Sequence, residues 1–324
     1  MVEKMIEVSR IYQKSIVFKR SDTMTKKLLD LHIHTSNSDG EQSPETVIRE
    51  AKSVGLSLIS ITDHNTFTFT KCRENGGLIV IPGVEFSTEY MVPSWNETTE
   101  IHIVGIFPNG VNPLDFDDLL ACIEEGKEEY IRAILDDLES RGIHITMQDV
   151  MEVPRKGKHL GRHEIAKVLV NKGIASDIDA AFDQQIGNFS PYYIPSTRYI
   201  HYASMEEMVK RISRCGGIPI LAHPYGYSMN EMEIEQLISD FKDCALRGGK
   251  SDKRREPFTA IGMEIYYERY LSDESRLDFL QKMQRKYNLL ASAGSDRHRG
   301  NQPFCSAGDY ELFEKMLLAL NTRS

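Results

Sequence analysis

LLDLHIHTSNSDGEQSPETVIREAKSVGLSLISIT, residues 28–62, reads as strand, helix and strand in direct succession. LLDLHIH (28–34) and LSLISIT (56–62) are short runs rich in Leu and Ile, too short for helices. Between them, SPETVIREAKSVG (43–55) offers Ser43 as a cap, Pro44 for the first helical turn and Gly55 as a stop. The polar residues need another explanation. His32, His34 and Asp39 crowd one strand end, and imidazoles and carboxylates are poor core residues. Asp30, His32 and His34 share one face, while Leu31 and Ile33 point the other way. Two imidazoles at i and i+2 can therefore reach one ion, and Asp30, one step deeper, can orient an imidazole through its second nitrogen.

The unit recurs. Further apolar runs are GLIVIPG (77–83), IHIVGIF (101–107), GIPILAH (217–223), AIGMEIY (260–266) and LLASAGS (289–295), with helical patterns near 205–215, 231–246 and 272–287. This alternation predicts an α/β fold with a mostly parallel sheet. Residues 114–185 lack strand signals. There LDDLESRG, GRHEIAKVLVNKG and SDIDAAFDQQIG read as successive helices stopped by Gly. The expected organisation is an N-terminal extension (1–26), a first barrel part (27–110), a helical cap insertion (111–195) and a second barrel part (196–324).

The 324 residues are 40% hydrophobic, enough for a substantial core. A formal net charge of -9 argues against a protein that coats duplex DNA, but leaves room for a small phosphorylated ligand held by local positive charge. Cys72, Cys122, Cys215, Cys244 and Cys305 are scattered with no CxxC pair, which suits reduced thiols in a cytoplasmic protein. No uncharged apolar run is long enough for a membrane span, so no membrane partner is expected.

Polar residues mark every apolar run. Asp63 and His64 follow the second, Glu85 the third, Glu100 and His102 open the fourth, His223 ends the fifth, Glu264 lies in the sixth, and Asp296 and His298 follow the last. Six of the chain's 10 histidines fall in these places, so the pattern is not diffuse. Taken singly, an HxH pair arises by chance on surface strands, and a lone strand-end carboxylate is usually a cap. In a parallel α/β barrel, however, the strand C-termini share one face, and all of these groups would converge there. One cation cluster then accounts for the whole set. Histidine and carboxylate without Cys suits Zn, Mn or Fe, and the excess of ligands over one tetrahedral shell points to two or three ions. Such ions outweigh Asp39, Glu85 and Asp296, leaving an electropositive site suited to phosphate. Clustered ions also generate hydroxide at neutral pH and clamp both oxygens of an in-line displacement. RKGKHLGRHEIA (155–166) gathers Arg155, Lys156, Lys158, His159, Arg162 and His163. A solvated loop is the plain alternative. A basic loop entering a helix N-terminus also attracts anions, and above the barrel mouth it would clamp phosphate.

DLHIHT–SDG, ITDHNT, PGVEFS, IHIVG, LAHP and GSDRH, in this order from residue 28 to about 300, resemble the motifs of the polymerase-and-histidinol-phosphatase (PHP) family of metal-dependent phosphoesterases. GRHEIA followed by YYIP (192–195) resembles the branch acting on nucleotides, which includes nucleoside 3′,5′-bisphosphate phosphatases and enzymes that trim short RNA from its 5′ end. The resemblance implies a distorted (βα)7 TIM-like barrel with a helical cap. It implies one ion on His32, His34, Glu85 and Asp296, a second sharing Glu85 with His102 and His223, and a third on Asp39, His64 and His298. Many relatives carry His in place of Asp39, and Asp there resembles the nucleotide branch. Asp296, His223 and His298 would serve catalysis, and Arg162 and His163 would touch the substrate phosphate. Glu264 would sit behind the ligands. The expected activity is hydrolysis of nucleotide phosphate monoesters by a metal-bridged hydroxide attacking phosphorus, with Mn2+, Fe2+ or Zn2+. The alternatives are a 5′-3′ exonuclease on short single-stranded RNA, a histidinol-phosphate phosphatase (against which the large cap speaks), and a metal-loaded binding or regulatory protein without turnover.

Overall fold

The computed structural model describes residues 28–154, 160–247, 260–308 and 310–321. The first unit forms as its residues dictate. Strand β1 (Leu28–Ile33) leads to helix α1 (Pro44–Ser53) and then to β2 (Leu56–Ile61), parallel to β1. The Ser43 side chain accepts the Thr46 N–H at 3.3 Å, and Gly55 ends the helical segment at φ 83°.

The short β3 (Arg73–Asn75) pairs antiparallel with β4 (Leu78–Val92), and β4 lies parallel to β2. β4 runs well past Gly83, and residues 93–96 turn it back into β5 (Glu97–Ile106). β5 is antiparallel both to β4 and to β6 (Ile218–Leu221). Parallel pairing resumes with β7 (Gly262–Tyr267) and β8 (Leu290–Gly294). The expectation that every strand ends on the site face therefore fails for β5. That strand is reversed, so its beginning lies beside the end of β6: the Ala222 N–H donates to the His102 carbonyl at 3.1 Å.

β8 returns to β1 through a lone parallel bridge between Ile33 and Arg297, which nearly closes the barrel. Asp30 seals this seam. Its carboxylate accepts backbone N–H groups of His32 at 3.2 Å, Ser295 at 3.0 Å and Cys305 at 2.9 Å. Asp30 is thus committed to backbone and does not orient an imidazole, which corrects the reading from strand alternation. Leu29, Leu31, Leu58, Val104, Ile218 and Ile220 belong to one buried apolar cluster, each burial contributing roughly 1.5–3 kcal/mol.

Between β5 and β6 the chain is helical: α2 (Asp117–Ser140), α3 (Met147–Glu152), α4 (Arg162–Asn171) and α5 (Ile178–Ala181), which runs into a π-helical turn at Phe182–Ile186. These helices share an apolar cluster of their own, including Ile134, Leu138, Val150, Ile165 and Leu169. The barrel helices are α6 (Met205–Arg214), α7 (Glu231–Arg247), α8 (Glu274–Tyr287) and α9 (Tyr310–Asn321). No described helix is long and apolar enough to cross a membrane. The proposed extension 1–26, and Arg155, Lys156, Lys158 and His159 of the basic loop, lie outside the described residues.

Candidate metal centre

Glu85, fully buried in β4, is the hub. Its Oε1 is 2.9 Å from His102 Nδ1 and 2.9 Å from His223 Nε2. Its Oε2 lies 3.1 Å from His32 Nε2, 3.0 Å from His34 Nε2 and 3.2 Å from His64 Nδ1. Asp296 Oδ1 stands 3.2 Å from His34 Nε2 and 3.5 Å from His298 Nδ1. Asp39 Oδ1 stands 3.3 Å from His298 Nε2 and 3.5 Å from His34 Nδ1, and its Oδ2 is 3.8 Å from His64 Nε2. All nine residues that the sequence suggested as ligands therefore meet in one place. Donor atoms of eight of them form three groups able to hold an ion: His32, His34, Glu85 and Asp296; His34, Asp39, His64 and His298; and His64, Glu85 and His102, while His223 lies outside these groups and reaches the cluster through Glu85 Oε1.

Neighbouring side chains hold these residues in place. Glu264 Oε1 is 2.8 Å from His32 Nδ1, and Oε2 accepts the His223 backbone N–H at 2.7 Å. Glu264 thus performs the orienting task that alternation had given to Asp30. The Tyr267 hydroxyl donates to Asp296 Oδ2 at 2.7 Å. Asp63 takes no part in the cluster. It accepts from the Thr35 N–H, the Thr35 hydroxyl and the Ser38 hydroxyl, each at 2.7 Å, bracing the loop that carries Asp39. Glu100 Oε1 holds His102 Nε2 at 3.2 Å and, through Oε2, accepts the Ser196 hydroxyl at 2.5 Å. His223 and Asp296 adopt φ of 24° and 51°, a region that side chains rarely enter and that costs of order 1–3 kcal/mol. Gly226 gives His223 room, since a Cβ there would stand 2.8 Å from its Nδ1.

The electrostatics call for cations. Burial alone would raise the Glu85 carboxyl, but His32, His64 and His102 outweigh it and hold Glu85 well below the usual range. Asp296 and Asp39 are lowered in the same way, against burial, with His298 the foremost imidazole for each. Burial would likewise lower the imidazoles, yet the surrounding carboxylates push His34 and His102 up to about 10. At His64 burial wins, and the value falls to about 4. His32 Nε2 and His34 Nε2 face one another at 3.1 Å, and Glu85 Oε2 between them accepts no well-directed hydrogen bond among the described residues. Buried carboxylates that drive the imidazoles around them to hold protons are a set of donor atoms that divalent cations would satisfy in the protons' place, and the mixed nitrogen and oxygen set fits Zn, Mn or Fe.

From the helical layer, Arg162 Nη1 donates to Asn188 Oδ1 at 2.7 Å and to the Ile186 carbonyl at 3.4 Å. His163 is buried, its Nε2 has no hydrogen-bond partner among the described residues, and burial takes its pKa down to about 4. Both residues border two cavities that meet at the cluster. The larger, about 300 Å³, continues past Phe182, Phe189, Tyr267, Arg269 and Tyr270. The smaller, about 190 Å³, continues past Ile123, Lys127, Tyr130 and Tyr202. Arg299 forms a two-pronged ion pair with Asp179 of α5, with Nη1 2.9 Å from Oδ2, tying the end of β8 to the helical layer.

Sequence reasoning passed over Tyr267, Arg269 and Arg299. Tyr267 was hidden by a β-bulge: β7 carries an extra residue between Glu264 and Tyr266 relative to β8. Simple alternation puts Tyr266 on the face of Glu264, and the bulge brings Tyr267 there instead.

A nearly closed barrel with a buried His/Asp/Glu cluster at its strand ends, overlain by a helical layer that brings Arg162 and His163 to the same cavities, is the arrangement a metal-dependent phosphoesterase needs. Residues 30–175 match the PHP domain, and over that stretch the chain is similar to the PHP phosphoesterases. It is 29% identical to the 3',5'-nucleoside bisphosphate phosphatase of Chromobacterium violaceum, over 83% of this chain and 87% of the relative. It is 28% identical to the 5'-3' exoribonuclease Rnm of Salmonella typhimurium, over 86% of this chain and 88% of the relative. The fold matches that of a solved amidohydrolase from Chromobacterium violaceum with a TM-score of 0.69 at 24% identity, covering 90% of this chain and 96% of that one.

Proposed function

We propose that the protein hydrolyses phosphate monoesters of nucleotides, either nucleoside 3′,5′-bisphosphates or mononucleotides, using two or three divalent ions drawn from Mn2+, Fe2+ and Zn2+. The observation that carries this reading is a buried His/carboxylate cluster opening into a cavity lined by both arginines and aromatic rings. Guanidinium groups suit phosphate, and aromatic rings suit a nucleobase. The names of the relatives agree with it.

In this reading His32, His34, Glu85 and Asp296 would hold one ion, Glu85, His102 and His223 a second, and Asp39, His64 and His298 a third. Bound there, the ions would supply an activated water and neutralise charge on the phosphoryl oxygens. Glu264 and Tyr267 keep His32 and Asp296 in place. Arg162 and His163 reach toward the phosphate from the helical layer, which acts as a cap over residues 111–195. Asp296, His223 and His298 are the residues whose replacement stops turnover. The expected location is the cytoplasm.

The smaller cavity favours a second reading, trimming of short single-stranded RNA, because it leaves space on both sides of a phosphate held at the cluster. The test is phosphate or nucleotide release by Mn2+-loaded protein from adenosine 3′,5′-bisphosphate, AMP, a 5′-phosphorylated trinucleotide and histidinol phosphate. A nucleotide substrate should exceed histidinol phosphate by roughly a hundredfold in kcat/KM, as expected for a site with contacts the smaller substrate leaves unpaired. Histidinol phosphate as the best substrate would overturn the reading, and Asp296→Asn turning over normally would overturn the ligand assignment.

A further inference from the structure

Arg269 sits on the short 3-10 turn Glu268–Tyr270 that follows β7 and borders the larger cavity beside Tyr267, Tyr270 and Asp296. Of the other two arginines of this cavity, Arg299 is ion-paired with Asp179, and Arg162, hydrogen-bonded to the neutral Asn188, is the one assigned above to the phosphate at the cluster. Arg269 makes no hydrogen bond and no ion pair among the described residues. Its mounting is nevertheless firm. The neighbouring Tyr270 ring packs on Tyr267 with centroids 4.7 Å apart and lies under the Arg276 guanidinium at 5.0 Å. Tyr267 in turn is tied to Asp296. A cation on a fixed turn, facing a cavity and with Asp296 and Asp179 acting on it only from beyond ion-pair distance, is a ready partner for an anion that enters with the ligand. That anion is not the group at the cluster, which the proposed ions and Arg162 would already engage.

We propose that Arg269 forms a subsite for a second, non-scissile phosphate of the substrate. This rests on the nucleotide reading above and deepens it. The shared chemistry is a phosphate ester anion, which could be the far monoester of a nucleoside bisphosphate or the next internucleotide diester of a short RNA.

The test compares wild type, Arg269→Gln and Arg269→Lys, all Mn2+-loaded, on adenosine 3′,5′-bisphosphate, AMP and a 5′-phosphorylated dinucleotide. Loss of one charge-assisted contact should lower the ratio of kcat/KM for two-phosphate substrates over AMP by roughly tenfold or more in Arg269→Gln. The change should lie mainly in KM, and Arg269→Lys should recover part of it. A larger loss on the bisphosphate identifies a terminal phosphate, and a larger loss on the dinucleotide an internucleotide one; either supports the subsite. An unchanged ratio overturns it, whatever the absolute rates. A parallel binding measurement uses non-hydrolysable adenosine 3′,5′-bisphosphonate and 5′-monophosphonate. If wild type turns over no nucleotide, the functional reading fails. An Arg269-dependent preference for the bisphosphonate would still support the subsite, and its absence would overturn it.

Discussion

Glu85 shows why the site is built from single residues that would be liabilities elsewhere. A fully buried carboxylate is costly unless it is paired, and this one faces five imidazoles. Removing any partner leaves the others short of a counter-charge, so the cluster is interdependent. Its weakest tolerance is steric. A Cβ at Gly294 would lie 2.5 Å from both Glu264 Oε1 and His32 Cβ. Gly294→Ala should therefore push Glu264 off His32 and lower metal affinity about tenfold, in line with other losses of ligand-orienting contacts. Metal titration followed by elemental analysis would check this, with far-UV circular dichroism expected to stay unchanged. Unaltered affinity would mean that Glu264 does not position His32.

At the level of elements, the sequence made the site legible wherever side-chain alternation survived. His32 and His34 share a face of β1 and do meet, with Nε2 atoms 3.1 Å apart. Three features were less visible. The reversal of β5 depends on the turn at residues 93–96, and apolar runs alone carry no direction. The bulge in β7 changes the parity on which alternation relies, concealing Tyr267. Asp30 shares the inward face with His32 but is taken up by three backbone N–H groups at the barrel seam, a use decided by tertiary closure. The Arg299–Asp179 pair is another long-range product, joining β8 to α5 across 120 residues of sequence. Asp179 is largely exposed, so Asp179→Asn should change overall stability by less than ~1 kcal/mol. Because α5 leads into the wall of the larger cavity, the same variant should raise KM for a nucleotide several-fold, as expected of a perturbed positioning element. Denaturant melts and steady-state kinetics would show this. A large stability loss with an unchanged KM would place the pair in the core architecture instead.

Across the whole molecule, an acidic chain of net charge -9 concentrates six of its 10 histidines at one mouth of a barrel. Divalent ions there would reverse the local sign while the outer surface stays acidic, favouring a small phosphorylated ligand over a long polyanion. The barrel gathers the His/Asp/Glu cluster, the helical layer contributes Arg162 and His163, and both cavities are lined by residues of the two. The most direct test is phosphate release from adenosine 3′,5′-bisphosphate by EDTA-stripped protein as Mn2+ is added back. Release should be absent from the stripped protein and should rise to a plateau only after more than one equivalent of Mn2+ is bound. Full turnover by the stripped protein, or saturation with Mn2+ and no phosphate released, would contradict a metal-dependent nucleotide phosphatase.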